Sequence, residues 1–179
     1  RSAAEGISVV HATPTVFRHL FGGRVTCVQD LSAVRLVVLG GEAARRSDLE
    51  LFKVRFRRPA RLVNGLGLTE CSTALQWFAD HDTRVRGDVL PVGVAVAGVE
   101  ARVEPAGWQG ELLLAGAHLA RGYHGDAELT AQRFRATPDG RVLATRDRAW
   151  RRPDGLWVHA GRLDRQLKLR GIRIEPAEV

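Results

Sequence analysis

"VRLVVLGG", residues 34–41, is an unbroken apolar run, rich in valine, that ends on two glycines. Strands of parallel sheets covered on both faces read this way, because burial removes the polar alternation. The flanks agree. Upstream, "ISVVHA" (7–12) predicts a second buried strand. "TPTVFRHLFGG" (13–23) predicts a helix with Thr13 as N-cap, Pro14 in the first turn and Gly22 as the stop. Downstream, "RRSDLELFKVRF" (45–56) has helical spacing through Leu49, Phe52 and Phe56, and "ARLVNG" (60–65) returns as a short strand. Strand, helix, strand, helix, strand predicts an α/β layer with right-handed crossovers.

From about Asp88 the pattern changes. "PVGVAVAGVEARVE" (91–104), "GELLLAG" (110–116), "RVLATRD" (141–147), "RAWRR" (148–152) and "LWVHAG" (156–161) predict short strands separated by glycine and proline turns. Two Pro-Asp-Gly triplets, 138–140 and 153–155, are turn signals: proline presets φ and glycine tolerates φ > 0. One helix interrupts them, "DAELTAQRF" (126–134), capped by Asp126. This part predicts a small antiparallel β-barrel-like unit or distorted sheet.

The chain has 179 residues, 45% of them apolar, enough for a core. It has no methionine, which predicts an excerpt of a longer chain. No apolar run reaches the roughly eighteen residues of a membrane span, so no membrane partner is expected. Cys27 and Cys71 match no metal or redox spacing and predict free thiols in a reducing cytoplasm. The formal charge is +7, but only Lys53 and Lys168 are lysines, and the arginines are spread along the chain without stacking aromatics. The one dense group, Arg55, Arg57, Arg58 and Arg61, sits at a helix end, where cations suit the dipole. No nucleic-acid partner is expected.

Three glycine-rich segments stand at strand ends: "LGGEA" (39–43), "NGLGLTECST" (64–73) and "AGAHLARGYHG" (115–125). A positive-φ turn explains any one of them taken singly. The second says more. It puts two glycines, a hydroxyl and a carboxylate in one expected loop at the C-terminal end of a parallel strand, where open α/β sheets bind ligands. Glycines let amides approach phosphates, Thr69 offers a hydroxyl to an oxyanion, and Glu70 offers a carboxylate to Mg²⁺. Helix capping of the following segment is the competing reading of Thr69 and Glu70.

In order, "VRLVVLGGEA", "NGLGLTE", "GELLLAGAHLARGY", "ATRD" and "GRLDRQLKLRGIRIEPAEV" resemble successive core motifs of the adenylate-forming enzymes. That superfamily includes nonribosomal peptide synthetase adenylation domains and acyl-CoA synthetases. "GAHLARGYHGDAELTAQRF" and "GIRIEPAEV" are most similar to the amino-acid adenylation branch. The resemblance implies a layered α/β adenylation domain seen in part. Residues 1–87 would be the end of its large α/β portion, 88–160 the antiparallel portion, and 161–179 a hinge with the first strands of a C-terminal lid. The family's phosphate loop would lie upstream of Arg1, and its lid lysine beyond Val179.

The resemblance also implies roles. Gly41, Glu42 and Ala43 match the segment lining adenine, Asn64 the residue facing its amino group, and Gly65 and Leu66 the positions that follow. Thr69 matches the hydroxyl near the phosphates and Glu70 the Mg²⁺ carboxylate. Asp147 matches the aspartate that binds both ribose hydroxyls, with Arg162 beside it, a pairing that suits a two-oxygen acceptor and a directed fork. Asp164 matches the hinge, and Gly171 the lid glycine that lets a phosphopantetheine arm pass. His11, Val38, Gly40, Gly65, Thr73 and Ala74 match substrate-pocket positions. His11 has two readings: a bond to a polar substrate side chain, or, favoured, a satisfied core histidine.

The implied activity is ATP- and Mg²⁺-dependent formation of an acyl-AMP from an amino or other carboxylic acid. The acyl group then passes to the phosphopantetheine thiol of a peptidyl carrier protein, among neighbouring synthetase domains. An acyl-CoA synthetase is one alternative. A catalytically degenerate domain with a structural or docking role is another. It is motivated by Leu66 where the family has a stacking tyrosine, Leu68 where it has proline, and Arg146 where it has glycine.

Overall fold

The computed structural model describes residues 6–23, 31–138, 140–164, 167–169 and 172–174, the last two segments by backbone alone. The valine run forms strand β2 (Leu36–Leu39), parallel to β1 (Val9–Ala12) on one side and to β3 (Arg61–Leu68) on the other. Helix α1 (Pro14–Phe21) crosses from β1 to β2. Thr13 accepts from the Val16 amide, and Gly22 closes the helix. Helix α2 (Arg46–Arg55) crosses from β2 to β3, and its Asp48 carboxylate accepts from the Arg45 amide at 2.7 Å. The expected α/β layer is present.

Both helices bury aromatic faces against one side of the sheet. Phe17, Phe21, Leu49, Phe52 and Phe56 pack on Val37, Leu39 and Leu62. The Phe56 ring lies 5.1 Å from that of Phe21 and 5.6 Å from that of Phe52. The other face differs from expectation. Leu36 and Val38 are only half-buried, so β2 is sealed on one side among the described residues. Strand β1, expected to be buried, is the sheet's edge, with Val9 48% exposed.

The sheet does not stop at β3. A tight turn leads into β4 (Ser72–Ala79), antiparallel to β3, and β5 (Val94–Ala95) adds to β4. The first sheet therefore extends beyond the boundary drawn at residue 87. Gly93 shows how tightly this end is built. Its φ is 89°, and a Cβ there would meet the Gln76 carbonyl oxygen at 1.8 Å, so only glycine fits. Gly93 and Trp157 then exchange backbone contacts, with Trp157 N donating to Gly93 O at 2.7 Å. This links the first sheet to the second.

The second sheet comprises β6 (Val99–Glu104), β7 (Gln109–Gly116), β8 (Phe134–Thr137), β9 (Gly140–Arg151) and β10 (Trp157–Arg162), all antiparallel. Its order is β10-β9-β7-β6, with β8 paired to β9. The expected barrel is not formed, and the alternative of a distorted sheet holds: among the described residues β6 and β10 do not pair with each other, and β10 bonds instead to Gly93 of the first sheet. "RVLATRD" and "RAWRR" up to Arg151 are one strand, β9, with a bulge in its middle. Helix α3 (Ala127–Arg133) is capped by Asp126 as expected. A hairpin of β11 (Leu167–Leu169) and β12 (Ile172–Ile174) follows.

The bulge holds the one departure whose stereochemical consequence is visible. From Glu111↔Arg148 to Leu113↔Ala144, β9 takes four steps while β7 takes two. Arg146 sits in that excess at φ 61°, in the left-handed region. Its amide donates to Glu111 Oε1 at 2.9 Å, and its carbonyl accepts from the Leu163 amide at 2.8 Å. Both bonds use only main-chain atoms of residue 146, so glycine would keep them. Left-handed backbone costs an L-residue roughly 1–2 kcal/mol, part of which glycine's unfolded-state entropy offsets. Arg146→Gly is expected to raise stability by about 0.5–1 kcal/mol. Equilibrium denaturation checks this, and a loss of stability would contradict it.

Candidate functional site

Two cavities open at the carboxyl ends of β2 and β3. The first, of about 270 Å³, lies between the turn leaving β2 (Gly41 to Ala44), Asn64 to Leu66 of β3, and the end of β10. The second, of about 460 Å³, is lined by His11, Val38, Gly40 and Thr73. Gly41, Gly65 and Leu66 line both, so the cavities adjoin across one wall.

In the first cavity, Asn64 is buried and its Nδ2 donates to the Pro91 carbonyl at 2.8 Å. That bond fixes the amide. Glu42 is held from outside: its Oε2 accepts from the amide and hydroxyl of Thr15, at 3.1 and 2.6 Å, at the start of α1. Its Oε1 is buried with no partner among the described residues. Gly41, Glu42, Ala43, Asn64, Gly65, Leu66 and Arg162 are thus brought to one cavity.

The second cavity gathers His11, Val38, Gly40, Gly65 and Thr73. Ala74 is different: it is fully buried, in the core that includes Val103, Leu112 and Leu114 of the second sheet. Strand alternation sends its neighbour Thr73 to the cavity and Ala74 to the opposite face. The favoured reading of His11 is also corrected. It is exposed on the edge strand and faces the cavity.

"NGLGLTE" is not a loop. Asn64 to Leu68 are strand residues of β3, and Thr69, Glu70 and Cys71 make the hairpin turn into β4. No helix follows, so the capping reading falls. Thr69 is exposed at this turn and Glu70 is buried. Glu70 Oε1 accepts from the Tyr123 hydroxyl at 2.7 Å, and its carbonyl accepts from the Ala120 amide at 2.8 Å. The second and third glycine-rich segments therefore meet at Glu70. Among the described residues no three His, Cys, Asp or Glu side chains group as metal ligands. Glu70 is a single carboxylate, which suits Mg²⁺ when phosphates and water supply the remaining ligands. Burial pushes the Cys71 thiol up, which keeps it protonated and unreactive.

Asp147 is fully buried on β9. Its Oδ1 accepts from His159 Nε2 and from Arg162 Nη1, each at 3.1 Å, and its amide donates to Thr145 Oγ1 at 3.0 Å. Thr145 Oγ1 in turn donates to the Leu112 carbonyl at 2.7 Å, pinning the bulge. Arg162 also grips Asp164 with two bonds, Nε to Oδ1 at 2.7 Å and Nη2 to Oδ2 at 2.6 Å. Asp164 follows β10 and belongs to no strand. Asp147 itself does not line the first cavity; His159 and Arg162 do. Gly171 lies outside the described residues.

Sequence reasoning missed His159 and Tyr123. Tyr123 is the chain's one tyrosine, set within a glycine-rich motif, which was a usable signal. His159 stands three positions before Arg162 on the strand antiparallel to Asp147, and only the pairing register reveals that they meet.

A crevice at the carboxyl ends of parallel strands, walled by glycine-rich turns, defines a ligand-binding α/β protein. The chain belongs to the AMP-binding enzyme family, whose model matches residues 3–124. It is 32% identical over 184 residues to tyrocidine synthase 3 of Brevibacillus parabrevis, covering 97% of this chain and 3% of that protein. It is 36% identical to a dimodular nonribosomal peptide synthase of Bacillus subtilis (strain 168), covering 98% of this chain and 8% of that one. The chain therefore spans a small part of the curated relatives it matches. Among solved structures it superposes on holo-PA1221, an NRPS protein containing adenylation and PCP domains, with a TM-score of 0.85 at 28% identity; 97% of this chain and 32% of that one are covered. An artificially fused adenylation-PCP di-domain from Klebsiella oxytoca gives 0.83 at 28%, over 99% and 34%. No helix among the described residues is long and apolar enough to cross a membrane.

Proposed function

We propose that the chain is part of an ATP-dependent adenylation domain that activates an amino or other carboxylic acid and loads it on a carrier-protein phosphopantetheine. The observation that carries this is the shared wall: two cavities meeting at Gly41, Gly65 and Leu66 suit a nucleotide and an acid held side by side. The acid's carboxylate oxygen attacks the α-phosphorus of ATP, and pyrophosphate leaves to give the acyl-AMP. The thiol sulfur then attacks the acyl carbon and AMP leaves. Kinship to proteins with carrier domains supports the thiol acceptor.

In this reading Asn64 fixes the purine edge and Gly41 to Ala43 shape the slot around it. Asp147 and Arg162 address the sugar, and Thr69 the phosphates. Glu70, oriented by Tyr123, would hold Mg²⁺. The metal when bound neutralises phosphate charge. Because Asp147 lies behind His159 and Arg162, the sugar reaches it only where those side chains leave an opening. Pyrophosphate exchange by the full-length parent domain tests adenylation. Loading of its own carrier protein against loading of free coenzyme A tests the acceptor.

Burial of Asp147 and the strained Arg146 favour a second reading, a non-catalytic domain with a structural role. Saturable ATP binding by the parent domain would exclude it. The 179 residues alone, covering about a third of the adenylation structures they match, are expected to exchange no pyrophosphate into ATP with any acid. Exchange above a no-protein control would show that the site is complete within them.

A further inference from the structure

Between β9 and β10 the register slips. His159 faces Ala149 and Arg162 faces Asp147, three steps on β10 against two on β9. The extra residue is absorbed beside Gly161, whose φ of 91° suits glycine. The His159 ring spans this bulge. Its Nδ1 lies 3.4 Å from the Gly161 amide. A backbone N–H only donates, so Nδ1 is the acceptor and the neutral ring carries its proton on Nε2. That proton points at Asp147 Oδ1.

The carboxylate is thereby divided. Oδ1 receives two donors, from His159 and Arg162, while Oδ2 is buried with no partner among the described residues. A buried acceptor left unmet is unfavourable, and a hydroxyl donor would complete it. His159 also lines the first cavity, so its ring stands between Asp147 and the ligand space.

We propose that His159 is a positioning residue for sugar recognition. By tying Gly161 to Asp147 it holds the bulge that aims Arg162, and it turns Asp147 so that the two lone pairs of Oδ2 are kept for the sugar hydroxyls. The inference rests on the reading of Asp147 as the sugar acceptor. His159 itself makes no bond to the ligand, because both ring nitrogens are already used.

Two substitutions separate its two bonds. In His159→Asn a side-chain oxygen takes the place of Nδ1, so the Gly161 bond survives and the reach to Asp147 is lost. In His159→Gln an amide N–H falls near Nε2, so the Asp147 bond survives. Calorimetry on the full-length parent domain would give dissociation constants for AMP and for 2′,3′-dideoxy-AMP. The wild type is expected to prefer AMP. His159→Asn is expected to lose about tenfold in AMP affinity, the scale of one charge-assisted bond, with the dideoxy nucleotide nearly unchanged. His159→Gln is expected to retain most of the preference. Equal weakening of both nucleotides by His159→Asn, or no weakening, overturns the proposal, since a packing role makes no distinction between them. A wild type that binds both nucleotides equally overturns the sugar reading itself, and this inference with it, before any variant is compared. If His159→Asn does not fold, loss of the preference in His159→Gln overturns the proposal and its retention supports it.

Discussion

Asp147→Ala in the full-length parent domain is expected to lower adenylate formation a hundredfold or more. Two hydrogen bonds from sugar hydroxyls to a carboxylate contribute on the order of 1.5–3 kcal/mol each, and about 3 kcal/mol is already more than a hundredfold in rate. The substitution also removes the acceptor shared by His159 and Arg162, so some loss of stability is expected. Arg162 keeps its two bonds to Asp164, which limits that loss. Asp147→Asn, which keeps the shape, is the control for folding. The measurement is pyrophosphate exchange at saturating ATP and at low ATP, on variants shown to be folded. An effect below about threefold in a folded, otherwise active domain would remove Asp147 from the site.

The second large effect is expected at the other end of the same network. If Asp164 is a hinge, its torsions change when a lid swings between the adenylating and thiol-transferring poses. Proline fixes φ near −65° and removes a donor, so one pose is lost and the other kept. Asp164→Pro is therefore expected to slow one half-reaction by at least about tenfold more than the other, a difference of roughly 1.4 kcal/mol between the two barriers. The substitution also breaks the Arg162–Asp164 pair. Asp164→Ala breaks that pair without constraining φ, and separates the two causes. Single-turnover rates of adenylation and of thiol transfer provide the comparison. Equal slowing of both steps by proline would leave Asp164 as an ordinary turn residue.

How much of this was legible in sequence depended on whether the signal was local. The β2 run, the Thr13 and Asp126 caps and the spacing of Leu49, Phe52 and Phe56 are short-range features, and they formed as expected. Strand β4 was not recognised, because Ala74, Leu75 and Gln76 are good helix formers; pairing with β3 overrides that preference. Burial of β1 was overstated because an apolar run does not say which strand is the edge. Closure of the second sheet was overstated too, since it depends on whether β6 meets β10, strands far apart in the chain. Within the site, the glycine-rich turns were legible as motifs. The pairings Glu70 with Tyr123 and Asp147 with His159 join distant segments, and no local pattern encodes them.

The placement of Gly93 bears on how such chains can be recombined. Its backbone is pressed against Gln76 of β4 and bonded to Trp157 of β10, while Pro91 two residues earlier accepts from Asn64 of β3. The segment 91–93 is therefore a three-way junction. A chimera that imports a foreign pocket with its crossover at residue 87 would join one parent's β3 and β4 to the other parent's junction, and mismatch two of the three contacts, those to Gln76 and Asn64. Moving the crossover past Ala95 carries the junction with the pocket and leaves only the Trp157 contact, made through the main chain, to be matched by the recipient.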